Sequence, residues 1–312
     1  DSMILAMAVD CVRRHFPQVH RIFIISEDAS IVPPGCIFLD ESRFPMDKTK
    51  MEGEVYQQLL KLLFFRVVPW ATPYIFVTDA DTLWLQDQLL VDEATSAPLA
   101  AWGADAFWDV RRFEHGGYGY EDFAEALTGF RKPKWNRTAV CHHAVFHKAA
   151  LEVLFEHVSK RAASEGLRPG SDATWEDWEV FGELFVAHHT PRPLLSAVVN
   201  NALDGSNWSA LIPGHWTPED RRRRIHAASE YELYHVFVSA PTADPRLPPA
   251  PQDRHLRWKD IGNCCFETSG QRKANCDVEA LHDSLGHDHG LAFVTCHAHL
   301  RDKVRWNWKA DS

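Results

Sequence analysis

Two acids in Ile75-Phe-Val-Thr-Asp79-Ala-Asp81-Thr-Leu-Trp-Leu85 form the only Asp-x-Asp in the chain. Residues two apart on an extended strand point the same way, so Asp79 and Asp81 are expected to aim at one spot past the strand end. Paired carboxylates there suit a hard, oxygen-preferring ion, Mn2+ or Mg2+, of the kind shared with a diphosphate. The plainer reading is a strand-ending turn with solvated acids.

Other residues carry complementary chemistry. Along 53–67, Gln57, Gln58 and Lys61 share one helical face at spacings of three and four, while leucine and phenylalanine crowd the rest. That stripe is either wet, or it puts Lys61 against phosphates as a point charge and a Gln against an acceptor or a nucleobase. A hydroxyl nucleophile must lose its proton, which calls for a general base. Glu230, at the mouth of a helix that Ser229 would cap, is the first candidate. Asp177 in Trp175-Glu-Asp-Trp-Glu179 is the second, between two tryptophans whose faces suit sugar stacking. Either acid also fits a role as a plain complement to a helix dipole. His142 and His143 follow Cys141, and on alternating backbone only one can face the core, which leaves the other for a diphosphate or acceptor. The Arg221–Arg224 run reads as a solvated helix face or as a clamp on an anion. Cys264, Cys265, Cys276, Cys296 and five nearby histidines crowd the tail without Cys-x-x-Cys spacing. A zinc site or a disulfide from Cys264 or Cys265 to Cys276 are the two readings there.

These residues need a scaffold. Ile4, Leu5, Ala8, Val9, Val12 and Phe16 recur at helical spacing and predict a helix over 2–16, stopped by Pro17. Strands are expected at 22–25, 36–39 and 74–78, with a helix over 53–67 between the last two. Further on, a strand is expected at 140–146 and helices at 148–161 and 175–187. This alternation predicts an α/β fold: a three-layer, Rossmann-like α/β/α sandwich with a mostly parallel central sheet, whose ligands sit at the carboxyl ends of its strands. Residues 1–240 form the expected catalytic domain. Residues 241–312 begin with a proline-rich linker and continue as an irregular appendage packed on the core.

Composition narrows the classes. Forty-three acids against 33 bases give a formal charge of −10, which disfavours a nucleic-acid partner held by phosphate contacts. No stretch approaches the roughly 18 apolar residues of a membrane span. Two sequons, at Asn136 and Asn207, fit the Golgi or another secretory lumen if the chain is eukaryotic, and a cytoplasmic location otherwise.

Taken in order, Gly53-Glu-Val-Tyr-Gln-Gln-Leu-Leu-Lys-Leu62, Val77-Thr-Asp-Ala-Asp-Thr82, Cys141-His-His-Ala-Val-Phe146 and Ser229-Glu-Tyr-Glu-Leu-Tyr234 resemble a largely uncharacterised glycosyltransferase family of the GT-A type. The resemblance covers about residues 1–260 and implies sugar transfer from a nucleotide diphosphate sugar to a hydroxyl of a glycan or other acceptor. It implies Asp79 and Asp81 as metal ligands for Mn2+ or Mg2+, and beside it the polar stripe and the histidine pair offer Gln58, Lys61, His142 and His143 as candidate donor contacts. In such folds an opening strand precedes the first helix, so Asp1 would stand at the end of a strand missing here, beside the donor. Two other classes compete. Phe76 to Thr82 also resembles the nucleophile motif of haloacid-dehalogenase-like phosphatases, with Asp79 attacking phosphorus. A non-catalytic carbohydrate-binding protein is the third, favoured by twelve tryptophans.

Overall fold

The structure is a computed structural model that describes residues 2–103, 120–132, 139, 142–167, 175–189, 228–241, 244–256, 258–260 and 292–295. Helix α1 (Ser2–His15) buries Ile4, Leu5, Ala8, Val9 and Val12, and ends on Arg13, Arg14 and His15, whose side chains suit the negative end of a helix. Strands β1 (Phe23–Ser26) and β2 (Ile37–Asp40) pair in parallel. The segment after them folds as two helices rather than one. Helix α2 (Gly53–Leu62) stops where Leu63 leaves helical geometry (ψ 7°), and the single turn α3 (Phe64–Val67) follows.

Strand β3 (Tyr74–Thr78) leads through a turn, closed by Thr82 N–H donating to Asp79 O at 3.1 Å, into β4 (Thr82–Trp84). After β5 (Leu99–Gly103) and α4 (Tyr120–Thr128), β6 (His143–His147) runs antiparallel to β3, with Thr78 opposite His143. Helix α5 (Lys148–Glu165) ends at Gly166, whose left-handed φ of 69° lets its N–H cap the carbonyls of Ala162 and Ala163. Then come α6 (Asp177–His188) and α7 (Glu230–Ser239). Among the last strands, β7 (Gln252–Leu256) pairs in parallel with β5. Strand β9 (Phe293–Thr295) lies between β4 and β8 (Trp258–Asp260).

This is a mixed α/β arrangement with small sheets. The large, mostly parallel central sheet expected from the sequence is not present among the described residues, where sheets hold two or three strands and β3 pairs antiparallel. An apolar run reports burial, but strand direction depends on which segment hydrogen-bonds beside it. The core explains how β3 is held. Ile75 and Val77 pack with Phe23 and Ile25 against the main cluster of α2, α5 and α7 side chains, whereas Phe76 turns to Val12, Phe16 and Trp84. That alternation is the period of two of a strand covered on both faces. No described helix is long and apolar enough to cross a membrane.

Candidate functional site

Three elements meet at the carboxyl end of β3. Lys61 lies in the last turn of α2, Asp79 directly follows β3, and Glu230 and Tyr231 open α7. Ser229 fixes that helix start, its hydroxyl accepting Glu232 N–H at 3.2 Å. The Lys61 ammonium donates to Asp79 Oδ1 at 2.6 Å, to Glu230 Oε1 at 2.6 Å and to the Tyr231 hydroxyl at 3.0 Å. Tyr231 in turn donates to Asp79 Oδ1 at 2.9 Å. His142 Nδ1 lies 3.0 Å from Asp79 Oδ2, and the His142 carbonyl accepts Asp79 N–H at 2.9 Å. His142 holds φ 62°, a left-handed conformation that a residue with a Cβ adopts at a cost. Its ring and carbonyl both engage Asp79, which explains why the chain tolerates the strain.

Burial sets the electrostatics. The side chains of Lys61, Asp79 and Glu230 are 19%, 28% and 5% exposed, so charge interactions among them are weakly screened. Burial by itself would raise the Asp79 carboxyl, but the Lys61 ammonium and His142 hold it well below the usual carboxylate range. Glu230 goes the other way, because its burial outweighs the lowering effect of Lys61 and its carboxyl lies above the ordinary value. Lys61 is kept charged by the two acids despite burial. The Tyr231 phenol is pushed far up by burial and by Asp79, so it serves as a neutral donor.

The cluster thus unites Lys61, Asp79, His142 and Glu230, all singled out in the sequence. Gln58, one turn earlier on α2, is also buried. Its amide donates to Ala228 O at 3.0 Å, just ahead of the α7 start, while its Oε1 has no partner among the described residues. Gln57 is exposed, so the polar stripe on α2 divides into a wet residue and two inward ones. His143 is the core member of the histidine pair, with its ring edge-on to Trp84 at 4.8 Å. Asp177 is not brought to the cluster by any described hydrogen bond or ion pair. It opens α6 beside a capping box in which Glu176 and Glu179 satisfy each other's backbone N–H groups. Asp81 sits in the turn rather than on extended chain, so the alternation argument for pairing it with Asp79 does not hold. Asp1, the arginine run, the sequons and the cysteines of the tail lie outside the described residues.

Tyr231 was not anticipated, nor was a second ion pair on the same helix, Lys132 with Glu232. The signal for Tyr231 was its place beside Glu230. Lys132 carried none, since contact between residues a hundred positions apart leaves no local pattern.

With its present partners Asp79 keeps little room for a metal: its Oδ1 takes two donors and its Oδ2 faces a third, which leaves one lone pair on Oδ2. A cavity of about 170 Å3 lies elsewhere, lined by Leu62, Phe65, Arg66, Pro69, Lys148 and Phe155. Its lining residue Lys148 donates its backbone N–H to Pro73 O, just before β3 begins, and the lining includes none of the clustered acids.

Comparison of the chain with models of known protein families gives no match, and comparison with curated proteins gives none.

Proposed function

We propose that the chain is a glycosyltransferase that moves a sugar from a nucleotide diphosphate sugar to an acceptor hydroxyl. The supporting observation is the meeting of Lys61, Asp79, His142, Glu230 and Tyr231 within hydrogen-bond reach just past the end of β3. Buried titratable groups gathered in this way, with two carboxyls shifted in opposite directions, favour a chemical site.

Glu230 is the general base of this reading. Its burial raises the carboxyl toward the working pH, which suits proton uptake. The acceptor O–H gives its proton to Glu230 while the oxygen bonds to the anomeric carbon, and the bond from that carbon to the diphosphate oxygen breaks with its electron pair leaving on the diphosphate. Gln58, with a spare buried acceptor, suits an N–H of the nucleobase or a sugar hydroxyl. Asp177 is the fallback base should a substrate bring α6 to the site.

The test is a panel of sugar nucleotides assayed for donor hydrolysis and transfer, with Glu230→Gln as control. Turnover by the natural chain and a loss of about 10²- to 10⁴-fold in the variant are expected. Silence across the panel, with and without acceptors, would remove the reading.

One observation favours a second reading, a carbohydrate-binding protein without turnover: Lys61 and Asp79 spend their hydrogen-bonding capacity on each other and their neighbours. Calorimetric binding of a sugar nucleotide with no hydrolysis would select it. The phosphatase alternative needs an attacking Asp79 oxygen, and that carboxylate is held by three donors. Release of p-nitrophenol from p-nitrophenyl phosphate would revive it.

A further inference from the structure

Resting on the transferase reading, we infer that the Lys61 ammonium stands where the Asp-x-Asp pattern reserves a divalent cation, and that it serves the leaving diphosphate without Mn2+ or Mg2+.

The geometry carries this in three steps. First, Asp79 has little left to offer a metal. Its Oδ1 is met by Lys61 at 2.6 Å and Tyr231 at 2.9 Å, and its Oδ2 by His142 at 3.0 Å. A divalent ion would have to use the one lone pair left on Oδ2, crowded by His142, and lie near an ammonium, with repulsion that a largely buried setting screens little. Second, Lys61 bridges two acids from distant segments, Asp79 and Glu230, at 2.6 Å each. Bridging carboxylates is the task otherwise given to a bound cation, and a lysine performs it as a point charge on a flexible stem. Third, the trio of one ammonium and two carboxylates carries one surplus negative charge, which opposes a diphosphate at rest.

Proton uptake by Glu230 removes that surplus. When the acceptor O–H bond breaks, its proton goes to Glu230 and the acceptor oxygen bonds to the anomeric carbon. Glu230 becomes neutral and loosens its hold on Lys61. The ammonium keeps Asp79 and Tyr231 and turns its third N–H to the diphosphate oxygen on which charge collects as the bond to the anomeric carbon breaks. Deprotonation of the nucleophile and stabilisation of the leaving group are thus joined through one side chain.

Mn2+ binding to the full chain, followed by electron paramagnetic resonance and calorimetry with no nucleotide present, tests the claim. The natural protein is expected to show no Mn2+ site that depends on Asp79, and Lys61→Met to bind Mn2+ at least about tenfold more tightly, once the ammonium is gone. Tight Mn2+ binding by the natural protein that Asp79→Asn abolishes would overturn the inference. So would a folded Lys61→Met chain with no gain in affinity. Because that variant strands two acids, a measurement on the natural protein accompanies it: acylation of Lys61, read by mass spectrometry, with and without MnCl2. Equal labelling is expected, and a Mn2+-dependent rise would show the ammonium being displaced. Failure of the transferase reading looks different, as an absence of donor turnover. Turnover that appears only with Mn2+ would keep that reading and sink this inference.

Discussion

Helix α7 carries two lysine–glutamate pairs within its first turn, and they are built to different ends. Glu232 meets Lys132, and both side chains are 1% exposed. Its other oxygen accepts Ala139 N–H at 2.8 Å, so the pair staples the segment after α4 to the start of α7. Glu230, two residues earlier, meets Lys61 in the company of Asp79, and that group touches solvent. The residue types are the same. The sealed pair is shut away from water, whereas the other group adds a second carboxylate, a tyrosine hydroxyl and a strained histidine. A pair sealed from water fixes geometry, and a group of mixed charge that water can reach is equipped to exchange a proton.

The largest expected effect comes from breaking the staple. Lys132→Met leaves Glu232 sealed without the Lys132 ammonium, so unfolding free energy should drop by roughly 3–5 kcal/mol, measured by urea titration. Turnover per folded molecule should stay near that of the natural chain, and a selective loss of activity would dissolve the contrast. Asp79→Asn should cost less stability, about 1–3 kcal/mol, because the amide still accepts one hydrogen bond and the site is partly wet. It should remove turnover entirely.

Acid titration sharpens the contrast further. The folded Asp79 carboxyl lies below its unfolded value, so its stabilisation is present above about pH 3.9 and fades as pH falls toward the folded value. The stability gap between natural chain and Asp79→Asn should therefore shrink on acidification, and a gap unchanged between pH 7 and pH 3 would contradict the ion-pair assignment. Glu230 has the opposite sign: its contribution is full below about pH 4.3 and is lost as pH rises through its raised folded value. His142→Gly should change stability by less than about 1 kcal/mol, since relief at φ 62° offsets the lost contact with Asp79. Gln57→Ala, on the wet face of α2, should stay within about 0.5 kcal/mol of the natural chain.

Much of this is legible in the sequence. Apolar spacing located α1, β3 and α6 to within two residues at each end, because burial on a repeating face leaves a local imprint. The predicted end of α5 at Arg161 fell four residues short, although Gly166 was the available stop signal. The break at Leu63 had no such marker. Lys61, Asp79, His142 and Glu230 were identified from residue type and position, yet their mutual bonding was not. Sequence shows an acid at a strand end but not whether the nearest cation is an ion or a lysine. The expected central sheet departs from the structure for a similar reason, since pairing is a property of two segments and the pattern of one cannot report it.

Lys61 belongs to the last turn of α2 and Glu230 to the first turn of α7, which brings a helix exit and a helix entrance together at the cluster. The opposite ends of the two helix dipoles give the cluster a standing electric field whose direction is set by the backbone. Conservative side-chain replacements there would leave that polarity in place. A nitrile reporter introduced at the rim would therefore register the same sign of field in the natural chain and in Tyr231→Phe.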